Sequence, residues 1–405
     1  MLFAHLGLPQ IELDGTRRRR KYPGAKSWCR MALPLAAGVT KGASMSAVQP
    51  SDGPVVVTGA SGYVGSHTVD ALVRRGYQVR ACVTDRRSAD KTTHLLAMNT
   101  AGHAGSVELF EANLLLDGSY DQPFAGCSAV LHVGTPMGYG GANNPQQVYD
   151  GAIAGTRNVL GSAQRAGSVR RFVYTSSFAA IGHPAPSGHR FSERDWASDG
   201  REDDQDWSTE NLNAKGEIGY AMAKVELEHL VNRVAATNGR FEAISICPLV
   251  VLGPLLSRAH ELAGSWQWHL GRMLAGKTCK RGWQHLWNIV DVRDVAAAEV
   301  QAIEQAGCRN GDRFMLSATD ASGEIDVPAL QAHLQRLFPD IEVGGAPDEL
   351  QATLQRHGQV FQAPLGHCDK ARRELGLETH RIEDTLRATG ETLIALGLVQ
   401  PKYRA

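Results

Sequence analysis

Tyr220 and Lys224, in the stretch YAMAK, are two side chains that could move protons. On a helix that spacing sets a phenol and an ammonium one turn apart on the same face. An unperturbed phenol, with a pKa of about 10, is a poor proton donor near neutrality. A cation held beside it stabilises the phenolate and brings the group toward working range. Ser177 closes the apolar run RFVYTSS. A hydroxyl at the carboxyl end of such a strand can hydrogen-bond a substrate carbonyl and steady its developing oxyanion. Each feature alone is bland. Together, and downstream of a glycine turn, they point to chemistry at a carbonyl or alcohol carbon.

The glycine turn lies in PVVVTGASGYVG, residues 54–65. Its β-branched run reads as a strand buried on both faces of a parallel sheet. The turn Thr58-Gly59-Ala60-Ser61-Gly62 follows, and then Tyr63, Val64 and Gly65 open a segment whose apolar residues fall at helical spacing. Glycines at 59, 62 and 65 suit a tight turn, close approach of backbone to a phosphate, and close helix–strand contact. A pyrophosphate would sit on the helix N-terminus, where unpaired N–H groups and the dipole favour an anion.

Further strands are expected at residues 76–85, 107–114, 129–136, 171–177 and 241–248. Helices are expected at 148–166 and, strongly amphipathic, at 220–234. That alternation is what a doubly wound parallel sheet requires. The residue ending the second strand faces the adenosine ribose, where an acid selects NAD and basic groups accommodate a 2′-phosphate. Here Thr84 stands at the tip, followed by Asp85, which suits NAD, and by Arg86 and Arg87, which suit NADP. Asn113 ends the third strand near the adenine. The fourth runs through Val133, Gly134 and Thr135 into a loop containing Met137, beside the glycine turn. Trp266, Trp268, Trp283 and Trp287 cluster with His269 and His285, as an apolar pocket lining or as plain core of a second lobe.

The 405 residues hold 42 basic and 42 acidic side chains, so no charge excess invites nucleic acid or an anionic membrane. Seven cysteines without a Cys-x-x-Cys pair point to reduced thiols in a cytoplasmic setting, with neither disulfide framework nor metal site. No apolar run approaches the roughly 20 residues of a membrane helix. Residues 1–50, with the basic run 17–21, read as an unstructured basic leader or a targeting segment. Residues 51–250 are expected to form the dinucleotide domain, with 288–304 returning to it. Residues 251–287 and 305–405 would form a smaller substrate-binding lobe.

TGASGYVG, VYTSS and YAMAK, in that order, resemble the extended short-chain dehydrogenases/reductases. GYQVRACVTD, LHVGTPM and CPLVVLGP resemble their dihydroflavonol reductase branch, and the likeness spans residues 53–398. The resemblance implies a Rossmann fold with a smaller C-terminal substrate-binding lobe, and NADP(H), with NAD(H) as the alternative. It implies hydride transfer to an aldehyde or ketone, with Tyr220 as acid/base, Lys224 on the ribose and on Tyr220, and Ser177 on the carbonyl (Ser176 as the fallback). It lines the cofactor groove with Gly59, Ser61, Gly62, Tyr63, Val64, Gly65, Asn113, Leu114, Val133, Gly134, Thr135, Pro248, Val250 and Val251, and puts Met137 with Ser177 on the substrate side. The branch commonly has an arginine where Thr84 stands, and Arg86, Arg87 and Lys91 are the groups that could replace it. A nucleotide-sugar epimerase or dehydratase, a 3β-hydroxysteroid dehydrogenase and an NAD(P)-sensing regulator remain alternatives. A small-molecule partner and a monomer or homodimer are expected.

Overall fold

The computed structural model describes residues 47–135, 145–183, 189–199, 216–279, 287–318, 324–346 and 366–404. The fold is organised by β1 (Val55–Thr58), four residues that are all buried. Val55 and Val57 face one side of the sheet and Val56 the other, and each side carries its own apolar core. A β-branched run with no polar alternation is what a strand covered on both faces requires. β1 pairs in parallel with β2 (Gln78–Val83) and with β4 (Ala129–His132). The full sheet runs β3-β2-β1-β4-β5-β6-β9, all parallel, with β3 at Ser106–Glu111, β5 at Arg171–Thr175, β6 at Glu242–Pro248 and β9 at Asp312–Leu316. Strand order reverses between β1 and β4. A crevice therefore opens at their carboxyl ends, where open α/β sheets bind ligands.

Helices cover both faces. On the Val55 face lie α1 (Tyr63–Arg74), α7 (Val292–Glu304) and α9 (Asp369–Leu375), through Val69, Leu72, Val295, Ile303 and Leu375. On the Val56 face lie α4 (Pro145–Ala166) and α5 (Gly216–Asn238), through Val159, Leu160, Leu227 and Val231. Two short helices, α2 (Ala89–Ala97) and α3 (Asp121–Phe124), follow β2 and β3. A smaller sheet, β10-β8-β7, combines β7 (Val250–Leu252), β8 (Trp287–Asp291) and β10 (Glu324–Ile325). Its core closes under α6 (Trp266–Leu274), α8 (Val327–Leu337) and α10 (Ile382–Ala395).

Several boundaries differ from expectation. Residues 305–405 do not all belong to the lobe, because β9 is the seventh strand of the large sheet and α9 packs in its core. Residues 288–291 pair within the small sheet, while Val290 and α7 pack in the core of the large one. The leader ends before residue 50: Val48 is fully buried, its N–H bonded to Ile303 O and its carbonyl to the Tyr77 hydroxyl. The basic run at 17–21 lies outside the described residues. α5 packs Leu227, Val231 and Ala235 against α4 and the sheet and Val225 against the segment carrying Ala180 and Ala197, while His229, Arg233, Ala236 and Thr237 form its exposed face. Trp287 and Trp266, in edge-to-face contact at 4.8 Å, belong to the lobe core, while Trp283 and His285 lie outside the described residues. Among the described residues no helix is long and apolar enough to cross a membrane.

Candidate active site

The turn after β1 is built on glycine for steric reasons. Gly59 has φ +65°, and a Cβ there would come within 2.5 Å of Gly134 Cα, so the ends of β1 and β4 touch at this point. A Cβ on Gly65 would lie 2.2 Å from Gly59 O, which is no longer a contact but an overlap. Gly62 N–H bonds Gly59 O at 2.9 Å, and Gly62 is the N-cap of α1. The cap has no side-chain hydrogen bond, and no acid stands in the first turn. The helix thus presents its N–H groups and the positive end of its dipole to the crevice. These features fit the pyrophosphate of a dinucleotide.

At the tip of β2, Thr84, Arg86, Arg87 and Lys91 are exposed. Asp85 accepts the Arg87 N–H at 2.9 Å and its Nε at 3.3 Å. Those bonds, the backbone one foremost, hold the Asp85 carboxyl below its ordinary range. Asn113 lies two residues beyond β3, where its side-chain oxygen closes a turn on Leu115 N–H. Leu114 is half-buried, its carbonyl bonded by Asn158. Tyr63 packs against the lobe core, its hydroxyl donating to Gly253 O at 2.9 Å. Ser61 and Val64 are half-buried in the turn and first helical turn. Val133, Gly134 and Thr135 follow β4, and Gly134 N–H bonds Thr58 O at 3.2 Å. Pro248 ends β6, and in β7 Val250 turns into the lobe core while Val251 packs against the core of the Val55 face. Met137 lies outside the described residues.

Lys224 ties the crevice together. It is 3% exposed, and its Nζ donates to Thr175 O at 2.9 Å and to Thr135 Oγ1 at 3.3 Å. It therefore bridges the ends of β4 and β5. The same Nζ lies 5.7 Å from the centre of the Tyr220 ring and 4.9 Å from that of Tyr174. Burial depresses its pKa to about 8, although the Glu228 carboxylate pulls the other way. Tyr220 is half-exposed one turn earlier.

The two adjacent serines have separate environments. Ser176 is buried and its hydroxyl is bonded to Glu228 Oε1. Ser177 is half-exposed, and its Oγ accepts the Ala179 N–H at 3.1 Å, so its own O–H remains to donate. Phe178, Ile181, Phe191, Cys247, Leu249 and Met315 form an apolar cluster next to it.

Sequence reasoning missed the group that holds this arrangement. Glu228 is fully buried one turn beyond Lys224 and meets Arg313 of β9 at 2.6 Å. Arg313 also donates to Ala180 O, Glu193 O and Asp195 O, and its guanidinium lies 3.7 Å from the Trp196 ring centre. One visible signal existed. Glu228 follows Tyr220 and Lys224 at the same four-residue spacing, so three polar groups share one helix face.

Residues 55–316 match the family described as NAD dependent epimerase/dehydratase. Cinnamoyl-CoA reductase 1 of Oryza sativa subsp. japonica is 31% identical over 324 residues, covering 80% of this chain and 85% of that protein. Dihydroflavonol 4-reductase of Hordeum vulgare is 30% identical over 303 residues, covering 74% of this chain and 80% of that protein. Gre2 of Candida albicans, solved in complex with NADPH, shares the fold with a TM-score of 0.68 at 23% identity, over 85% of this chain and 99% of that one. The chain belongs to the NAD-dependent epimerase/dehydratase family, among the extended, dihydroflavonol reductase-like short-chain dehydrogenases/reductases. It is an NAD(P)-dependent oxidoreductase.

Proposed function

We propose that this protein is an NADPH-dependent reductase of aldehyde or ketone carbonyls, with Tyr220 as the proton donor. The observation that carries the reading is the Lys224 ammonium, buried between Thr175 O and Thr135 Oγ1 and one turn from Tyr220. When bound, the reduced nicotinamide supplies a hydride to the carbonyl carbon. Gly59, Gly62 and the N-terminus of α1 would hold its pyrophosphate, and Thr135 and Lys224 its nicotinamide ribose. Ser61, Val64, Gly65, Asn113, Leu114, Val133, Gly134, Pro248, Val250 and Val251 complete the proposed groove. Tyr63 enters it through its backbone N–H.

The chain's own chemistry is proton delivery. Tyr220 gives its hydroxyl proton to the carbonyl oxygen as negative charge gathers there. Ser177 donates a hydrogen bond to the same oxygen, and Lys224 lowers the cost of leaving a phenolate behind. Arg86, Arg87 and Lys91 support NADPH because a 2′-phosphate needs cationic partners and Arg binds it through a fork of N–H groups. The reductases of rice and barley, and the NADPH in Gre2, support the same direction. Asp85 favours a second reading, an NAD-dependent epimerase or dehydratase of nucleotide sugars.

NADPH and NADH oxidation across aldehydes, ketones, dihydroflavonols and cinnamoyl thioesters, with Tyr220→Phe alongside, tests this. NADPH consumption should fall roughly 10²–10⁴-fold in the variant, the usual worth of a positioned general acid. A variant as fast as wild type would falsify the assignment. Arg86→Ala with Arg87→Ala should raise KM for NADPH roughly tenfold or more and leave KM for NADH unchanged. Purified protein carrying NAD, with no carbonyl reduced, would favour the second reading.

A further inference from the structure

Beyond Ser177 the chain passes a short turn and reaches His183, and His189 and Asp195 follow at regular six-residue intervals. Both imidazoles converge on one carboxylate oxygen: Asp195 Oδ1 is 3.4 Å from His183 Nε2 and 3.3 Å from His189 Nε2. The three atoms all lie within 4.8 Å of one another. Those separations are long for charge-assisted hydrogen bonds, which run at about 2.7–2.9 Å. They match the edge of a tetrahedron around Zn²⁺, roughly 3.3–3.4 Å when the bonds to nitrogen and oxygen are about 2.0–2.1 Å.

The surroundings are those of a built site. Asp195 Oδ2 accepts the Ser192 N–H at 2.8 Å and the Ser192 hydroxyl at 2.9 Å, which turns Oδ1 toward the imidazoles. Such outer bonds orient a ligating carboxylate. Burial opposes ionisation of Asp195, yet the Ser192 bonds and the two imidazoles hold its carboxyl below the ordinary range. Phe191 is fully buried and meets His183 edge-on at 5.0 Å and His189 at 4.6 Å, walling the site and restraining both rings. The side chains are 14%, 31% and 18% exposed for His183, His189 and Asp195, so an ion can enter from one side.

We propose that His183 Nε2, His189 Nε2 and Asp195 Oδ1 bind one Zn²⁺, with water as the fourth ligand. Two imidazoles and one carboxylate suit a borderline transition metal and disfavour Ca²⁺ and Mg²⁺, which take oxygen ligands. The ion acts as a clip. Arg313 already fastens Glu193 O and Asp195 O to Glu228, and the metal joins His183, on the Ser177 side, to that anchored end. No step at the carbonyl depends on it, so the site stands or falls apart from the reductase reading.

The full-length protein, stripped with chelator and dialysed, is titrated with Zn²⁺ by calorimetry and with Co²⁺ by visible absorption. The expected result is one equivalent bound, tetrahedral Co²⁺ bands, and a higher unfolding midpoint with Zn²⁺. His183→Ala and His189→Gln should each weaken binding at least tenfold and abolish the bands. Gln keeps a donor toward Asp195, so His189→Gln separates lost ligation from lost packing, and the circular dichroism of the metal-free variants checks their fold. Ser192→Ala should weaken binding roughly 10–100-fold, as loss of an outer-shell partner does. No stoichiometric binding by wild type, or equal affinity in folded His189→Gln, overturns the site.

Discussion

Lys224 shows what one buried cation does for its neighbours. Desolvation brings its pKa to about 8, while Thr175 O at the end of β5 and Thr135 Oγ1 beyond β4 hold its ammonium in place. On the proposed mechanism, raising the pH above about 8 removes the charge that would support a Tyr220 phenolate. In the free enzyme, kcat/KM for the carbonyl should bend downward from about pH 8, and Lys224→Met should be slow and lack that bend. A wild-type profile flat to pH 10 would separate Lys224 from the proton transfer. Gly65 makes a purely steric case. Gly65→Ala must push apart the first turn of α1 and the Gly59 carbonyl, because the new Cβ would start 2.2 Å from that oxygen. Titrating NADPH fluorescence should show at least a tenfold weaker complex, since the N–H groups aimed at the phosphates move with the turn.

α5 brings Tyr220, Lys224 and Glu228 to one side, and each does a different job. The first is half-exposed beside the Lys224 ammonium, the second joins Thr175 O to Thr135 Oγ1, and the third is pinned by Arg313 and Ser176. The Glu228–Arg313 pair joins the helix, β9 and the segment after Ser177. Breaking such a pair strands a buried charge, which costs about 3–5 kcal/mol, whereas replacing both partners by apolar groups is often neutral. Glu228→Leu should thus lower the unfolding midpoint sharply, and Glu228→Leu with Arg313→Met should recover most of it. The double variant should still be slower at the carbonyl, because Ser176 and the helix lose their shared anchor. Equal midpoints for wild type and the single variant would mean that the pair contributes nothing.

Acid stability depends on groups spread through the molecule. His132 is fully buried, its ring between Thr58 and Thr156 Oγ1, and burial lowers its pKa to about 3. Burial likewise lowers His260 to about 3 and His94 to about 4; both rings bond Ser66 Oγ behind the glycine turn. Each is neutral when folded and protonates near about 6.5 when unfolded, so the unfolded chain binds more protons below that pH. Stability falls as pH drops from about 6.5 toward 4, by roughly 1.4 kcal/mol per pH unit for each of His132 and His260. Glu299 works oppositely. Burial raises it to about 7 between Thr68 and Thr175, so its contribution is lost as pH rises from about 4.5 to 7. The histidines outnumber it. Denaturation midpoints from pH 8 to pH 4 should decline, less steeply in His132→Gln and more steeply in Glu299→Gln.

Much of the frame was legible because its signals are local. A β-branched run, glycines at 59, 62 and 65, and the alternation of strand and helix determine β1, its turn, α1 and the parallel sheet, since hydrophobic period and backbone sterics act over a few residues. The four-residue spacing of Tyr220 and Lys224 determines that they share a helix face. Other features were decided only when distant segments met. The sequence could not tell that Ser176 turns inward to Glu228 while Ser177 stays half-exposed. It could not tell that Asp312–Leu316 edges the large sheet, or that Lys224 and Glu228 of α5 are buried. Arg313 lies 85 residues from Glu228, and no motif in the chain announces that His183, His189 and Asp195 meet. Pairing across such distances leaves no period in the chain. It is selected by burial, where a charge must find a partner or not be buried at all.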